Sequence, residues 1–131
     1  MDRTFGWHKK LRKTDDFSSV FHFRCTWRGQ VLDLSAGPNT LPHGRLGMIV
    51  PKKRLPRAVD RNRTKRLLRE WFRIHQDSLA GLDIIARLRT GGITGPLDET
   101  TLEKEFLDGL EAARACVSRR QAATRLPPGS P

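Results

Sequence analysis

The sequence predicts an α+β fold, a mixed α/β sandwich in which a sheet of about four strands packs with helices in the order α-β-β-β-α-β-α. Three observations predict it. Short β-prone runs bounded by turn formers alternate with stretches of helical period. The 131-residue length suits a single core. No internal repeat is evident.

The elements follow in order. Thr14 or Asp15 caps a short helix with acidic residues in its first turn and with Phe17, Val20 and Phe21 on one face, ending near Phe23. Residues 25–35 read as a hairpin: Cys25-Thr26-Trp27, a turn at Arg28-Gly29-Gln30, then Val31-Leu32-Asp33-Leu34. Turn formers crowd residues 36–44, which are expected to form a loop. Arg45-Leu46-Gly47-Met48-Ile49-Val50 is a third strand stopped by Pro51, which has no N–H to donate. From Ala58 the period becomes helical and holds to about Leu79, with Gly81 as the stop. Asp83-Ile84-Ile85-Ala86-Arg87-Leu88 returns to a strand. A last helix, capped in the Asp98-Glu99-Thr100 region, carries Leu102, Phe106, Leu110 and Ala113 on its apolar side. The expected domain is 1–118, and 119–131 is expected to be a basic, proline-rich disordered tail.

Charge points to the partner. Twenty-five Lys and Arg against fourteen Asp and Glu give a net charge of +11, which a polyanion would neutralise. Residues 52–73 hold ten of these cations against Asp60 and Glu70 alone, a local excess of +8. On a helical projection Thr64, Leu67, Leu68, Trp71 and Ile74 share one arc, while Arg61, Lys65, Arg69 and Arg73 descend another, flanked by Asn62 and Arg66. Like charges so placed repel by roughly 0.2–0.5 kcal/mol per neighbouring pair, a cost that phosphate contacts relieve. Arginine forks grip phosphate oxygens or stack on unpaired bases, and Asn62 offers both a donor and an acceptor.

Compartment and competing chemistry are constrained too. No run approaches the length of about 18 apolar residues that a membrane span needs, and the basic N-terminus lacks a secretory apolar segment, so the expected location is the cytoplasm with no membrane partner. Cys25 and Cys116 stand far apart and unpaired in motif, and are expected to be reduced and partly buried. His8, His22, His43 and His75 have no metal-site spacing, and Ser18-Ser19 has no neighbouring base. The acidic last helix, with Asp98, Glu99, Glu103, Glu105, Asp108 and Glu111, reads as a solvated face pointing away from RNA. A metal-dependent nuclease built on Glu103 and Asp108 is the rival enzyme, and a ribosomal-protein-like RNA binder the non-enzymatic alternative.

Val50-Pro51-Lys52-Lys53 followed by Arg57-Ala58-Val59-Asp60-Arg61-Asn62-Arg63-Thr64-Lys65-Arg66-Leu67-Leu68-Arg69-Glu70-Trp71-Phe72-Arg73 closely resembles the signature of the bacterial ribonuclease P protein subunit. Agreement extends to Leu11-Arg12-Lys13-Thr14-Asp15-Asp16-Phe17-Ser18-Ser19-Val20-Phe21, to Arg45-Leu46-Gly47 and to Leu82-Asp83-Ile84-Ile85-Ala86-Arg87, and so covers about 11–89. The resemblance implies a protein cofactor, one per RNA, for a catalytic RNA that removes the 5′ leader of precursor tRNA. Magnesium would be held mainly by the RNA, and no protein side chain would be catalytic. It implies that Arg61, Asn62, Arg63, Lys65, Arg66 and Arg69 face the catalytic RNA with Lys52 and Lys53 beside them; Arg57 and Arg73 extend the same basic surface. It also implies a left-handed β-α-β crossover, and a cleft between the first helix and the sheet where Phe17 and Phe21 hold the single-stranded leader. Spacing alone reads those two phenylalanines as anchors of the first helix. Asp33 stands near where many relatives carry an aromatic or aliphatic cleft residue.

Overall fold

The computed structural model describes residues 10–11, 14–91 and 95–124. Helix α1 (Thr14–Phe23) has Asp15 and Asp16 in its first turn, where they complement the helix dipole. It stops at Arg24, whose left-handed φ of 63° breaks the helix while its N–H donates to the Phe21 carbonyl. Strands β1 (Cys25–Arg28), β2 (Leu32–Pro38) and β3 (Arg45–Ile49) precede helix α2 (Ala58–His75), strand β4 (Leu82–Leu88) and helix α3 (Glu99–Thr124).

The sheet order is β1-β2-β4-β3. β1/β2 and β2/β4 are antiparallel, and β3 lies parallel to β4, which it reaches through α2. Alternation along the strands sorts the side chains. Cys25, Leu32, Leu34, Ala36, Leu46, Ile84, Ala86 and Leu88 face α2 and α3, meeting Leu68, Trp71 and Phe72 from one and Leu102, Phe106, Leu110, Ala113 and Val117 from the other. Trp71 and Phe106, with ring centroids 6.0 Å apart, join the two helices. On the opposite side Ile85 packs with Leu11, Val20, Phe17 and Ile49, under α1.

Five expectations are corrected. β2 continues through Ala36, Gly37 and Pro38, because β4 offers partners as far as Leu82, and Pro38 closes the strand where its missing N–H costs least. α2 ends at His75, where the Gln76 N–H turns to the Arg73 carbonyl and a short 3-10 segment, Gln76–Leu79, follows. Ile74 is 45% exposed and Phe72 takes its place in the core, since the sheet lies under the side of the helix centred on Thr64, Leu68 and Phe72. α3 runs on through Thr124, past position 118 where the tail was expected to begin, with the Arg120 guanidinium 5.8 Å from the Phe23 ring centroid; residues 125–131 lie outside the described residues. Cys25 and Cys116 are not free thiols but a disulfide: 91 positions apart in sequence, they have Cα atoms 5.7 Å apart because β1 lies along α3.

Candidate nucleic-acid interface

The turn into α2 is built by backbone. The Pro51 carbonyl accepts the N–H groups of Arg54 and Leu55, leaving Lys52 and Lys53 exposed on the tip. Arg57 takes the extended conformation that precedes the helix, with φ −85° and ψ 131°. Asp60 in the first turn offsets the dipole, and the lysines and arginines that follow accumulate at the other side and end.

These cations divide into two groups. Lys65, Arg69, Asn62, Arg73 and Arg66 follow one another around the outward side of α2, opposite the buried Thr64, Leu68, Trp71 and Phe72. Lys10, bridged to Leu46 at the β3 edge, joins Arg66, Arg69 and Arg73 around a shallow depression of about 320 Å³ that also includes Glu70. Arg73 is braced by Glu70, which receives its Nε–H and a second guanidinium N–H; the hydrogen bond raises the arginine pKa and lowers the Glu70 carboxyl below its ordinary range.

The second group surrounds a cavity of about 670 Å³ between the start of α2 and the segment before α3, lined by Lys53, Arg54, Arg57 and Arg63 with Asp60, Leu97 and Glu99. Arg54 is only 6% exposed and donates to the Gly95 carbonyl, so it ties this segment to the α2 turn. Arg63 donates its Nε–H to Glu99. That hydrogen bond is the main reason the Arg63 pKa rises and the Glu99 carboxyl falls below the usual range.

Arg61 belongs fully to neither group. One of its guanidinium nitrogens donates to the carbonyls of Leu55 and Pro56, bracing the loop that leads into the helix. The regular stripe of Arg61, Lys65, Arg69 and Arg73 read from the sequence therefore loses its first member to local structure. Lys10 and Arg54 are additions. Arg54 was visible as the third cation of a basic run, whereas nothing local to Lys10 signals that the chain returns it to the β3 edge.

A separate cleft opens on the α1 side of the sheet. Its walls are Phe21, Thr26, Arg28, Asp33, Ser35, Ile85 and Arg87, around a volume of about 130 Å³. Phe21, 43% exposed, stands at the rim. Phe17 does not line this space. Its ring packs over Gly47, where a Cβ would come 2.6 Å from the ring tip, and it contacts the small cluster of Leu11, Val20 and Ile85. The structure thus separates the two phenylalanines that the sequence paired, leaving Phe17 as an anchor and Phe21 toward solvent.

The acidic helix is also less uniform than expected. Asp98 accepts from the Thr100 N–H and the Thr101 hydroxyl as a cap, Glu99 pairs with Arg63, and Glu111 with Arg114. Glu105 turns inward: its carboxylate accepts the N–H groups of Gln30, Val31 and Leu32 at 3.0, 3.0 and 3.2 Å, holding the β1–β2 turn. Among the described residues no three His, Cys, Asp or Glu side chains converge as metal ligands, and no helix is long and apolar enough to cross a membrane.

The ribonuclease P family profile matches residues 5–114. The ribonuclease P protein component of Azotobacter vinelandii is 41% identical over 124 residues, covering 94% of this chain and 92% of that protein. Among solved structures, the RNase P protein of Staphylococcus aureus superposes with a TM-score of 0.61 at 26% identity, covering 80% of this chain and 91% of the other. The RNase P protein of Thermotoga maritima gives a TM-score of 0.55 at 25% identity, covering 84% and 92%.

Proposed function

The chain belongs to the ribonuclease P protein family, a protein component of a ribonuclease that processes the 5′ leaders of tRNA, and we propose on that premise that it acts through two surfaces on different sides of one sheet. The observation that carries this reading is α2, which buries Thr64, Leu68, Trp71 and Phe72 in the core and turns Asn62, Lys65, Arg66, Arg69 and Arg73 outward as one continuous cationic face. In this reading that face, with Lys10, docks on the catalytic RNA, exchanging condensed counterions for guanidinium and ammonium contacts. Lys52, Lys53, Arg57 and Arg63, grouped at the helix start, take a neighbouring stretch of the same backbone, and Arg61 mainly fixes the loop that presents them.

The cleft beside Phe21 takes the single-stranded leader of precursor tRNA. An aromatic face stacks on any base, which suits a protein that must accept many leaders. Phosphodiester cleavage belongs to the RNA subunit, and the protein contributes affinity and alignment. In this reading magnesium is held mainly by the RNA. One protein per RNA, in the cytoplasm, completes the reading.

Reconstitution tests it. The purified chain alone is expected to leave precursor tRNA intact, and adding it to the catalytic RNA at low magnesium is expected to restore cleavage. Cleavage by the protein alone at the rate of the mixture would overturn the reading.

A further inference from the structure

The disulfide joins β1 to α3 at the joint between two walls of the leader cleft. Four contacts lay α3 along residues 24–32. Glu105 accepts the N–H groups of Gln30, Val31 and Leu32, and Gly109 comes so close that a Cβ there would stand 2.9 Å from the Trp27 ring. Further along, Cys116 is bonded to Cys25, and Arg120 donates to the Arg24 carbonyl at 3.5 Å. The spacing explains the alignment, because Gly109 and Cys116 lie two helical turns apart on one face while Trp27 and Cys25 share one face of the strand. Of the four, only the disulfide can be made and unmade by covalent chemistry. Its place matters for the cleft. Phe21 at the rim lies in the last turn of α1, Thr26 and Arg28 form a wall on β1, and between them the chain turns at Arg24 with its φ of 63°. Cys25 follows that turn directly, so its bond fixes the spacing of rim and wall.

In a compartment kept reducing by dithiols, a protein disulfide is characteristically transient and redox-sensing. Access to this one is one-sided: Cys25 is fully buried, whereas Cys116 keeps part of its surface in solvent. We propose that the Cys25–Cys116 bond is a redox switch on the leader cleft, opened by a dithiol and closed by the corresponding disulfide. In the opening direction a thiolate of the dithiol attacks Cys116 Sγ, the Sγ–Sγ bond breaks, and Cys25 leaves as a thiolate that takes up a proton. The second thiol of the reagent then displaces Cys116 from the mixed disulfide. The reagent is oxidised by two electrons and the chain gains two thiols; closing runs the same exchange backwards. Reduction frees the turn at Arg24, and rim and wall lose their fixed spacing. The RNA-docking helix is spared, because α2 lies over the β3 side of the sheet, at the opposite edge from β1. The inference rests on the leader-in-cleft and cytoplasmic readings above and adds redox control to them.

The test uses the enzyme reconstituted from the full chain and the catalytic RNA, with precursor tRNAs carrying a long leader or a single leader nucleotide, below the melting transition of every form. Dithiothreitol is expected to lower affinity for the long leader by about five- to tenfold, the scale of losing the order of one backbone residue. Affinity for the short-leader substrate and docking of the chain on the catalytic RNA are expected to stay unchanged. Glutathione disulfide is expected to restore the long-leader affinity. The double variant Cys25→Ser, Cys116→Ser is expected to bind long leaders at the reduced level and to respond to neither reagent. Equal long-leader affinity for the oxidised and reduced chain, with Phe21→Ala still weakening it, would overturn the switch and leave the cleft reading standing. If Phe21→Ala also changes nothing, the cleft reading falls with it. Loss of RNA docking together with leader affinity would overturn the switch as well, since the bond would then be a staple of the whole fold.

Discussion

Arg63 turns away from the outward face of α2 and gives its Nε–H to Glu99, 36 residues later, at the start of α3. The consequence is a competition. RNA can use Arg63 only by replacing a carboxylate partner already in place, whereas no described acidic side chain pairs with Arg66 or Arg69. Both members of the Arg63–Glu99 pair are exposed, so salt screens it and a phosphate can displace it. Arg63→Ala is therefore expected to weaken binding to the catalytic RNA less than Arg66→Ala, and Glu99→Gln to strengthen it by about two- to fivefold. The sign with pH follows from the lowered Glu99 pKa: the pair is intact above the ordinary carboxylate range and is lost as pH falls through that lowered value. The advantage of Glu99→Gln should then fade at acid pH. Equal losses for Arg63→Ala and Arg66→Ala in a binding titration would contradict this.

Glu105 is expected to matter for stability, not for RNA binding. Its carboxylate closes the β1–β2 turn through three backbone N–H groups, and a Cβ at Gly29 would come 2.2 Å from its Oε1. Charged hydrogen bonds of this kind are worth about 1.5–3 kcal/mol each at most, so Glu105→Ala is expected to cost about 2–3 kcal/mol in denaturant unfolding. Gly29→Ala is expected to act in the same direction. A change of less than about 0.5 kcal/mol for Glu105→Ala would place the residue among ordinary surface acids.

Gly47 holds the seat of Phe17. A methyl group there would come 2.6 Å from the Phe17 ring and 3.2 Å from Leu11 Cβ, in a cluster with no flexible chain end to yield. Gly47→Ala is expected to destabilise the fold by about 1–3 kcal/mol, the usual cost of overpacking. Because Phe17 packs instead of lining the cleft, Phe17→Ala should lower stability first. Its leader affinity should follow only as the fold fails. Thermal melts run beside leader binding would separate the two effects.

The Cys25–Cys116 disulfide closes a separation of 91 residues, long enough for the chain-entropy account to assign it about 4–5 kcal/mol. Dithiothreitol, or Cys25→Ser together with Cys116→Ser, is expected to lower the melting temperature measurably. Identical melts with and without reductant, with two titratable thiols in the unreduced protein, would contradict the bond.

Much of this was legible in the sequence where the signal was local. The start of α2 at Ala58 follows from a change of period, the strand read from Asp83 to Leu88 from a short apolar segment around Ile84 and Ile85, and the cationic helix from charge density. What was hidden depends on residues brought together from afar. Phe72 outcompetes Ile74 only because of where the sheet lies, and Glu105 reads as a surface acid until the hairpin turn arrives above it. Lys10 gains its place from a bridge to Leu46. Asp33 was visible as a departure from the family, but only strand register reveals its position between Arg28 and Arg87.

The central claim is that the outward face of α2 docks on the catalytic RNA, and the salt dependence of that binding tests it most directly. Affinity would be measured across a range of monovalent salt for the wild-type chain, Arg66→Ala, Arg69→Ala and the double variant. Each single change is expected to weaken binding and to reduce the log–log slope by about 0.7–0.9, the double change by about twice that. Correctly folded variants with unaltered affinity and slope would contradict the account.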